Sequence, residues 1–163
     1  MHLGINVAVV GTYFHFLTGL EYLDISRNKL DARGTQLIAS MADKSSCLTT
    51  LKASRCNLNG ILAAKLLSAI AHNKKLSNTK IDFSENEFSG EADVEALSSC
   101  ISRGLNCHTL DISRNVFKEK GLIGILQSIV LSATTSLNTL ILNRSCKSTA
   151  KFGENVASAL ASV

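Results

Sequence analysis

The sequence predicts an α/β solenoid, a right-handed arc with short parallel strands on its concave face and helices on its convex face. Three observations predict it. The hexapeptide Leu23-Asp24-Ile25-Ser26-Arg27-Asn28 recurs unchanged as Leu110-Asp111-Ile112-Ser113-Arg114-Asn115. A third copy, Ile81-Asp82-Phe83-Ser84-Glu85-Asn86, keeps the pattern, and looser copies begin at Leu51 and Leu140. The lead positions 23, 51, 81, 110 and 140 are spaced by 28, 30, 29 and 30 residues, a period that marks stacked supersecondary units. Within each period, apolar residues alternate at first and then recur three and four apart, so each unit is a strand followed by a helix.

The opening stretch, residues 3 to 20, lacks Asp, Glu, Lys and Arg. It has no basic leading segment, and Asn6, Thr12 and His15 interrupt it, so signal-peptide and membrane-span readings are weak. The repeat register places residues 6 to 16 where a convex helix belongs, with Val9 and Val10 in the positions of Leu37 and Ile38. Residues 1–19 are therefore expected to be the helix of a truncated preceding repeat. Five units follow, at 20–47, 48–75, 76–104, 105–136 and 137–163, forming one domain over 1–163.

The first unit has Leu20, Leu23, Ile25, Asn28 and Leu30 in the pattern L-x-x-L-x-L-x-x-N-x-L, then Leu37, Ile38 and Met41 at helical spacing. The second repeats this with Leu48, Leu51, Ala53, Cys56 and Leu58, then Leu62, Leu66, Leu67 and Ile70. Units three and four carry their helical stripes on Val94, Leu97 and Ile101, and on Leu122, Ile125, Leu126 and Ile129. In both, the first apolar site lies five residues before the second (Leu76 to Ile81, Leu105 to Leu110), which predicts a bulge or a widened turn. The fifth is irregular, with Lys147 at a usually apolar site and a polar loop over 145–153 before Val156 and Leu160. The ninth-position Asn28, Asn86 and Asn115 should turn inward onto backbone groups that would otherwise be buried unpaired, with Cys56 and Ser145 as stand-ins.

Composition narrows the function classes. With 45% hydrophobic and 18% charged residues, 163 residues suffice for one continuous core. A net charge of +4 and 5% aromatic residues, with no basic run, do not indicate nucleic acid. Five cysteines without a CxxC pair argue against zinc and for free thiols in a reducing compartment. No GxxxxGK[ST] or GxGxxG loop occurs, and His2, His15, His72 and His108 fall in different contexts. The Asp-x-Ser pairs follow the repeat. No catalytic set, cofactor site or metal site is expected, and the chain reads as a non-enzyme.

Alternate strand residues should face the concave surface. One column down that face is Asp24, Lys52, Asp82, Asp111 and Ile141, with Tyr22 and Lys80 one row away. Lys52 between two carboxylates reads as a neutralising ladder, and the alternative is a partner-binding patch. A further column, Arg27, Arg55, Glu85, Arg114 and Arg144, makes a basic rim on the following loops, interrupted by Glu85. It is either a solvated edge or a surface for an acidic protein or phospholipid head group. Asn143-Arg144-Ser145 matches a glycosylation sequon that its place in the strand and spine makes coincidental.

Strand plus helix in 28 to 30 residues resembles the ribonuclease-inhibitor-like leucine-rich repeat. A narrower resemblance lies in the run Ala71 to Phe88, with its N-x-x-L approach at Asn73 and Leu76, its lengthened entry to the strand, and the later pair Cys100-Ile101. With Leu110 to Asn115 and the Leu140-Ile141-Leu142-Asn143-Arg144 strand, it resembles the CARMIL family of capping-protein, actin-related-protein and myosin-I linkers. That resemblance implies part of a cytoplasmic actin-regulatory scaffold, held at the plasma membrane or cell cortex by segments outside this chain. No direct membrane insertion is implied. The family's membrane-binding and capping-protein-binding parts lie outside its repeats, so none of their residues carries over. About five repeats are fewer than the family's array, and a longer array is expected. Its uncapped ends would self-associate. The rivals are the repeat region of an innate-immune receptor or of a GTPase-activating protein, the latter using Arg27 or Arg55.

Overall fold

In a computed structural model, residues 19–132, 136–146 and 152–161 are described. The expected helix over 6–16 lies outside them, as do His2, His15, Lys147 and most of the polar loop before the last helix. The described residues form a leucine-rich-repeat solenoid of five strand–helix units. Its order is β1 (Tyr22–Asp24), α1 (Ala32–Lys44), β2 (Thr50–Lys52), α2 (Gly60–His72), β3 (Lys80–Asp82), α3 (Glu91–Ser102), β4 (Thr109–Asp111), α4 (Glu119–Leu131), β5 (Thr139–Ile141) and α5 (Phe152–Ala161).

The strands form one sheet in the order β1-β2-β3-β4-β5, every neighbouring pair parallel. Leu23, Leu51, Ile81, Leu110 and Leu140 stand opposite one another, as the repeat register requires. Their side chains point to the helices, and Leu51, Ile81 and Leu110 are fully buried. The second apolar column, Ile25, Ala53, Phe83 and Ile112, is buried with them. A third column runs Leu30, Leu58, Phe88 and Phe117, whose last two rings lie 6.0 Å apart at 54°. Helices close the core with the stripes read from sequence, such as Leu66, Leu67 and Ile70 of α2 and Leu97 and Ile101 of α3.

The asparagine ladder forms as expected. Asn86 donates through Nδ2 to the carbonyls of Ala53, Phe83 and Ser84, and its Oδ1 accepts from the N–H groups of Cys56 and Leu58. Asn115 repeats this one unit on, accepting from Asn86 and Phe88. Cys56 substitutes by pointing its thiol at the Ile25 carbonyl, 3.2 Å away, and Ser145 by donating to Ile112. Asn28 keeps its donor bonds to Ile25 and Ser26 but its buried Oδ1 has no partner.

The two extra residues before β3 form a widened turn, not a bulge. Thr79 is buried and its hydroxyl lies 2.9 Å from the carbonyls of both Leu48 and Leu76, while Asn73 Nδ2 reaches back to Ala42 and Ser45. Strand register is undisturbed. A further lock was not visible in the repeat pattern. Asp93, in the first turn of α3, is buried and accepts from Gly60, Ser89 and Gly90 N–H groups. It thereby caps α2 across the repeat boundary, and a Cβ at Gly60 would lie 2.6 Å from Asp93 atoms. Among the described residues, no helix is long and apolar enough to cross a membrane.

Candidate functional site

The open sheet face and the turns leaving it hold every residue singled out from the sequence. Tyr22, Lys80 and their row-mates Thr50, Thr109 and Thr139 stand opposite one another, and so do Asp24, Lys52, Asp82, Asp111 and Ile141. Tyr22 is 53% exposed, and Asp24 and Lys80 are exposed with it. The two columns are therefore real, but three of the contacts differ from expectation.

Lys52 does not bridge its carboxylate neighbours. Its Nζ sits 5.5 Å from the centre of the Tyr22 ring, and no salt bridge to Asp24 or Asp82 forms. Tyr22 faces Thr50 across the strands, so Lys52 lies on its diagonal, within reach of a long side chain. A ring face then competes with carboxylates that are already engaged.

Those carboxylates are engaged by their own turns. Asp24 Oδ1 accepts from Ser26 N–H at 2.9 Å, Asp82 Oδ1 from Ser84 at 2.9 Å, and Asp111 Oδ1 from Ser113 at 2.8 Å. This is an Asx turn, repeated three times, that ends each strand. The serines work too: Ser26 Oγ accepts from Ser54 N–H and Ser113 Oγ from Asn143 N–H, tying each turn to the next repeat. Partial burial pulls the Asp24 carboxyl up, but hydrogen bonds from Ser26, the Lys52 charge and the Tyr22 hydroxyl outweigh it and hold it below the ordinary value. Asp24 and Ser26 are thus parts of the turn as well as surface groups.

The arginine column occupies the residue after each turn, where the backbone is left-handed. The φ angles are 63° at Arg27, 56° at Arg55, 54° at Glu85, 55° at Arg114 and 55° at Arg144. Such angles are costly for a side chain with a Cβ, and they set the Cα–Cβ bonds of the five residues alike. Glu85 does not interrupt the row but joins it. Arg55 binds its carboxylate at 2.5 Å through Nη2 and 2.8 Å through Nε, and Arg114 approaches the other oxygen at 3.6 Å. The hydrogen bond from Arg55 first, then the charges of Arg55, Arg114 and Arg27, hold the Glu85 carboxyl below its ordinary value against slight desolvation. Among the described residues, Arg27 and Arg144 form no salt bridge, so the free basic charge sits at the ends of the row.

Two open cavities flank the fourth and fifth turns. The inner one, about 540 Å³, is lined by Ser84, Glu85, Asp111, Ser113, Arg114, Asn143 and Arg144. The outer one, about 880 Å³, shares Arg114 and Arg144 and adds Val116, Phe117, Lys118, Glu119 and Cys146. Sequence reasoning missed this second cavity. Its signal was the column after the ladder asparagine, where Lys29, Asn57 and Glu87 give way to Val116 and Cys146.

None of the five cysteines is in a disulfide. Cys56, Cys100 and Cys107 are buried, and Cys47 and Cys146 are partly so. Burial, with the Cys100 thiol nearby, pushes Cys107 up to about 12. Among the described residues, no group of three or more His, Cys, Asp and Glu side chains is placed to hold a metal ion.

No family model matches the chain, and no curated protein matches it. Among solved structures, it is similar to the tropomodulin C-terminal domain of Caenorhabditis elegans at 12% identity, over 78% of this chain and 91% of that one, with a TM-score of 0.48.

Proposed function

We propose that this chain is a non-catalytic protein-interaction scaffold, the repeat arc of an actin-regulatory linker of the CARMIL kind. The observation that carries the interaction reading is the open five-strand face. It presents polar side chains in strict columns on a backbone fixed by the ladder and by Asx turns, a rigid surface of the sort that repeat proteins offer to partners. The non-catalytic reading is supported by the Asp-x-Ser pairs, whose polar atoms serve the turns. The narrower assignment is supported by the sequence resemblance over Ala71 to Phe88 and at Cys100-Ile101. On that assignment the protein would work in the cytoplasm, held at the plasma membrane or cell cortex by segments outside this chain.

The test is capture of purified actin-regulatory proteins on the immobilised chain, with capping protein, whose binding segment lies outside the family's repeats, as the control that should not be captured. Asp24→Asn, Asp82→Asn and Asp111→Asn combined, which remove the charges but keep an oxygen for each Asx turn, should lower capture by about tenfold or more. Equal capture by the triple variant rejects the concave face. A coding sequence without a basic, disordered capping-protein-binding segment downstream rejects the CARMIL assignment. The GTPase-activating rival would use Arg27, which has no salt bridge among the described residues, or Arg55, which Glu85 holds at 2.5 Å. Unchanged GTP hydrolysis with Arg27→Ala and with Arg55→Ala removes it.

A further inference from the structure

We propose that the turns of the fourth and fifth repeats form a second docking groove, whose occupant is an acidic peptide segment of a partner protein carrying one large apolar side chain. This rests on the reading of the chain as an interaction scaffold and adds a site away from the concave face.

Charge selects the acidic partner. Among the described residues lining it, the outer cavity gathers Arg114, Lys118 and Arg144 against one carboxylate, that of Glu119, which is hydrogen-bonded by Asn155. Arg144 has no salt bridge among the described residues, and Arg114 touches Glu85 only at 3.6 Å, against 2.5 Å for Arg55. Two guanidinium groups on adjacent turns are thus available to carboxylates, for which their planar forks are suited.

The walls select the apolar side chain. Val116 is 62% exposed, and behind it the buried Phe117 ring packs on Phe88. A β-branched apolar residue this exposed beside cations is the arrangement of an anchor pocket with a charged edge. The other repeats do not reproduce it, since Asn57 and Glu87 hydrogen-bond each other at the equivalent positions. A cleft with apolar walls admits a side chain, whereas a flat bilayer would meet only the protruding cations.

The backbone of the groove is set in advance. Arg114 N–H donates to Asn143 at 2.8 Å, Phe117 N–H to Ser145 at 3.0 Å and Val116 N–H to Phe88 at 3.0 Å. A partner would order its own residues and few of this chain's.

The experiment uses the full chain and a fluorescein-labelled peptide, Glu-Asp-Phe-Glu-Asp, read by fluorescence anisotropy. Binding is expected, weakened about tenfold by Arg144→Glu and to a similar degree by Val116→Asp, with Arg27→Glu changing it less than about twofold. Thermal melts establish that each surface variant folds. Absence of binding overturns the proposal. So does equal binding of Glu-Asp-Ser-Glu-Asp, which would mean charge alone, or an equal loss with Arg27→Glu, which would mean a diffuse field. Phosphatidylserine vesicles that bind through Arg144 while the peptide does not would overturn it in favour of a membrane surface. Tyr22→Ala, on the concave face at the far end of the sheet, should bind the peptide normally. Failure of the peptide with capture still sensitive to the concave triple variant removes the groove and leaves the scaffold reading standing.

Discussion

At the junction of the second and third repeats, Asn86 makes five side-chain hydrogen bonds reaching across the boundary and into its own turn. At the junction of the fourth and fifth, the Ser145 side chain makes one, to Ile112. The helices differ in the same direction. Helix α2 buries Gly60, Ala63, Ala64, Leu66, Leu67 and Ile70, while α4 buries Leu122 and Ile125 and leaves Val130 and Leu131 55% and 64% exposed. One repeat template therefore yields a locked middle and a looser end. An asparagine side chain is long enough to satisfy backbone groups of two units at once, whereas a serine hydroxyl satisfies one. The exposed groove and Arg144, which forms no salt bridge among the described residues, lie at the looser end.

Stability measurements by chemical denaturation would sharpen or break this contrast. The largest effect is expected for Asn86→Ala, which orphans buried donors and acceptors on two repeats and should cost more than about 3 kcal/mol. Ser145→Ala should cost only about 1 kcal/mol. Equal losses would mean that the ladder does not set the difference. Next come the helices: Leu66→Ala should cost about 2–5 kcal/mol and the half-buried Leu126→Ala clearly less.

Glycine gives a contrast of sign. Gly60→Ala forces a methyl against Asp93 and should cost about 1–3 kcal/mol. A Cβ at Gly124, in the middle of α4, meets nothing within 4 Å, so Gly124→Ala should stabilise by up to about 1 kcal/mol. Destabilisation at Gly124 would show that α4 is tighter than it looks. The smallest effect is electrostatic. The Glu85 carboxyl is held below its ordinary value of 4.5, so what it adds to stability is whole above that pH and is lost as pH falls through its lowered folded-state value. Glu85→Gln should flatten that acid-side slope slightly and leave stability near neutral pH almost unchanged. A large loss at neutral pH would make the Arg55–Glu85 pair structural.

Much of the fold was legible because each repeat states it again. The alternation at Leu23 and Ile25, the helical spacing at Leu66, Leu67 and Ile70, and the asparagine at 28, 86 and 115 specify strand, helix and ladder, with Cys56 and Ser145 standing in at the other two ladder sites. The columns of the open face were legible for the same reason, since a fixed period converts sequence distance into strand register. The contacts within those columns were not. Whether Lys52 meets Asp82 or the ring of Tyr22 depends on a diagonal between strands and on carboxylates already bound to serine N–H groups. Glu85 looked like a gap because its sign differs from its neighbours', yet its position between two arginines is what lets it hold them. Asp93 was silent, for a residue in the first turn of one helix capping the previous helix leaves no local pattern.

The left-handed residue that follows each strand turn has a metrical consequence. The Cα–Cβ bonds of five residues leave the turns alike, one per repeat, so their bases are spaced by the separation of neighbouring strands, about 5 Å. An extended peptide advances about 3.3 Å per residue and shows the same face every second residue, about 6.6 Å. The two rulers do not share a pitch. A peptide laid along the row would fall out of step after one contact, whereas one crossing it can place a carboxylate between two adjacent turns and then leave. The row therefore favours short, transverse ligands, and adding repeats would multiply such crossings without lengthening any of them.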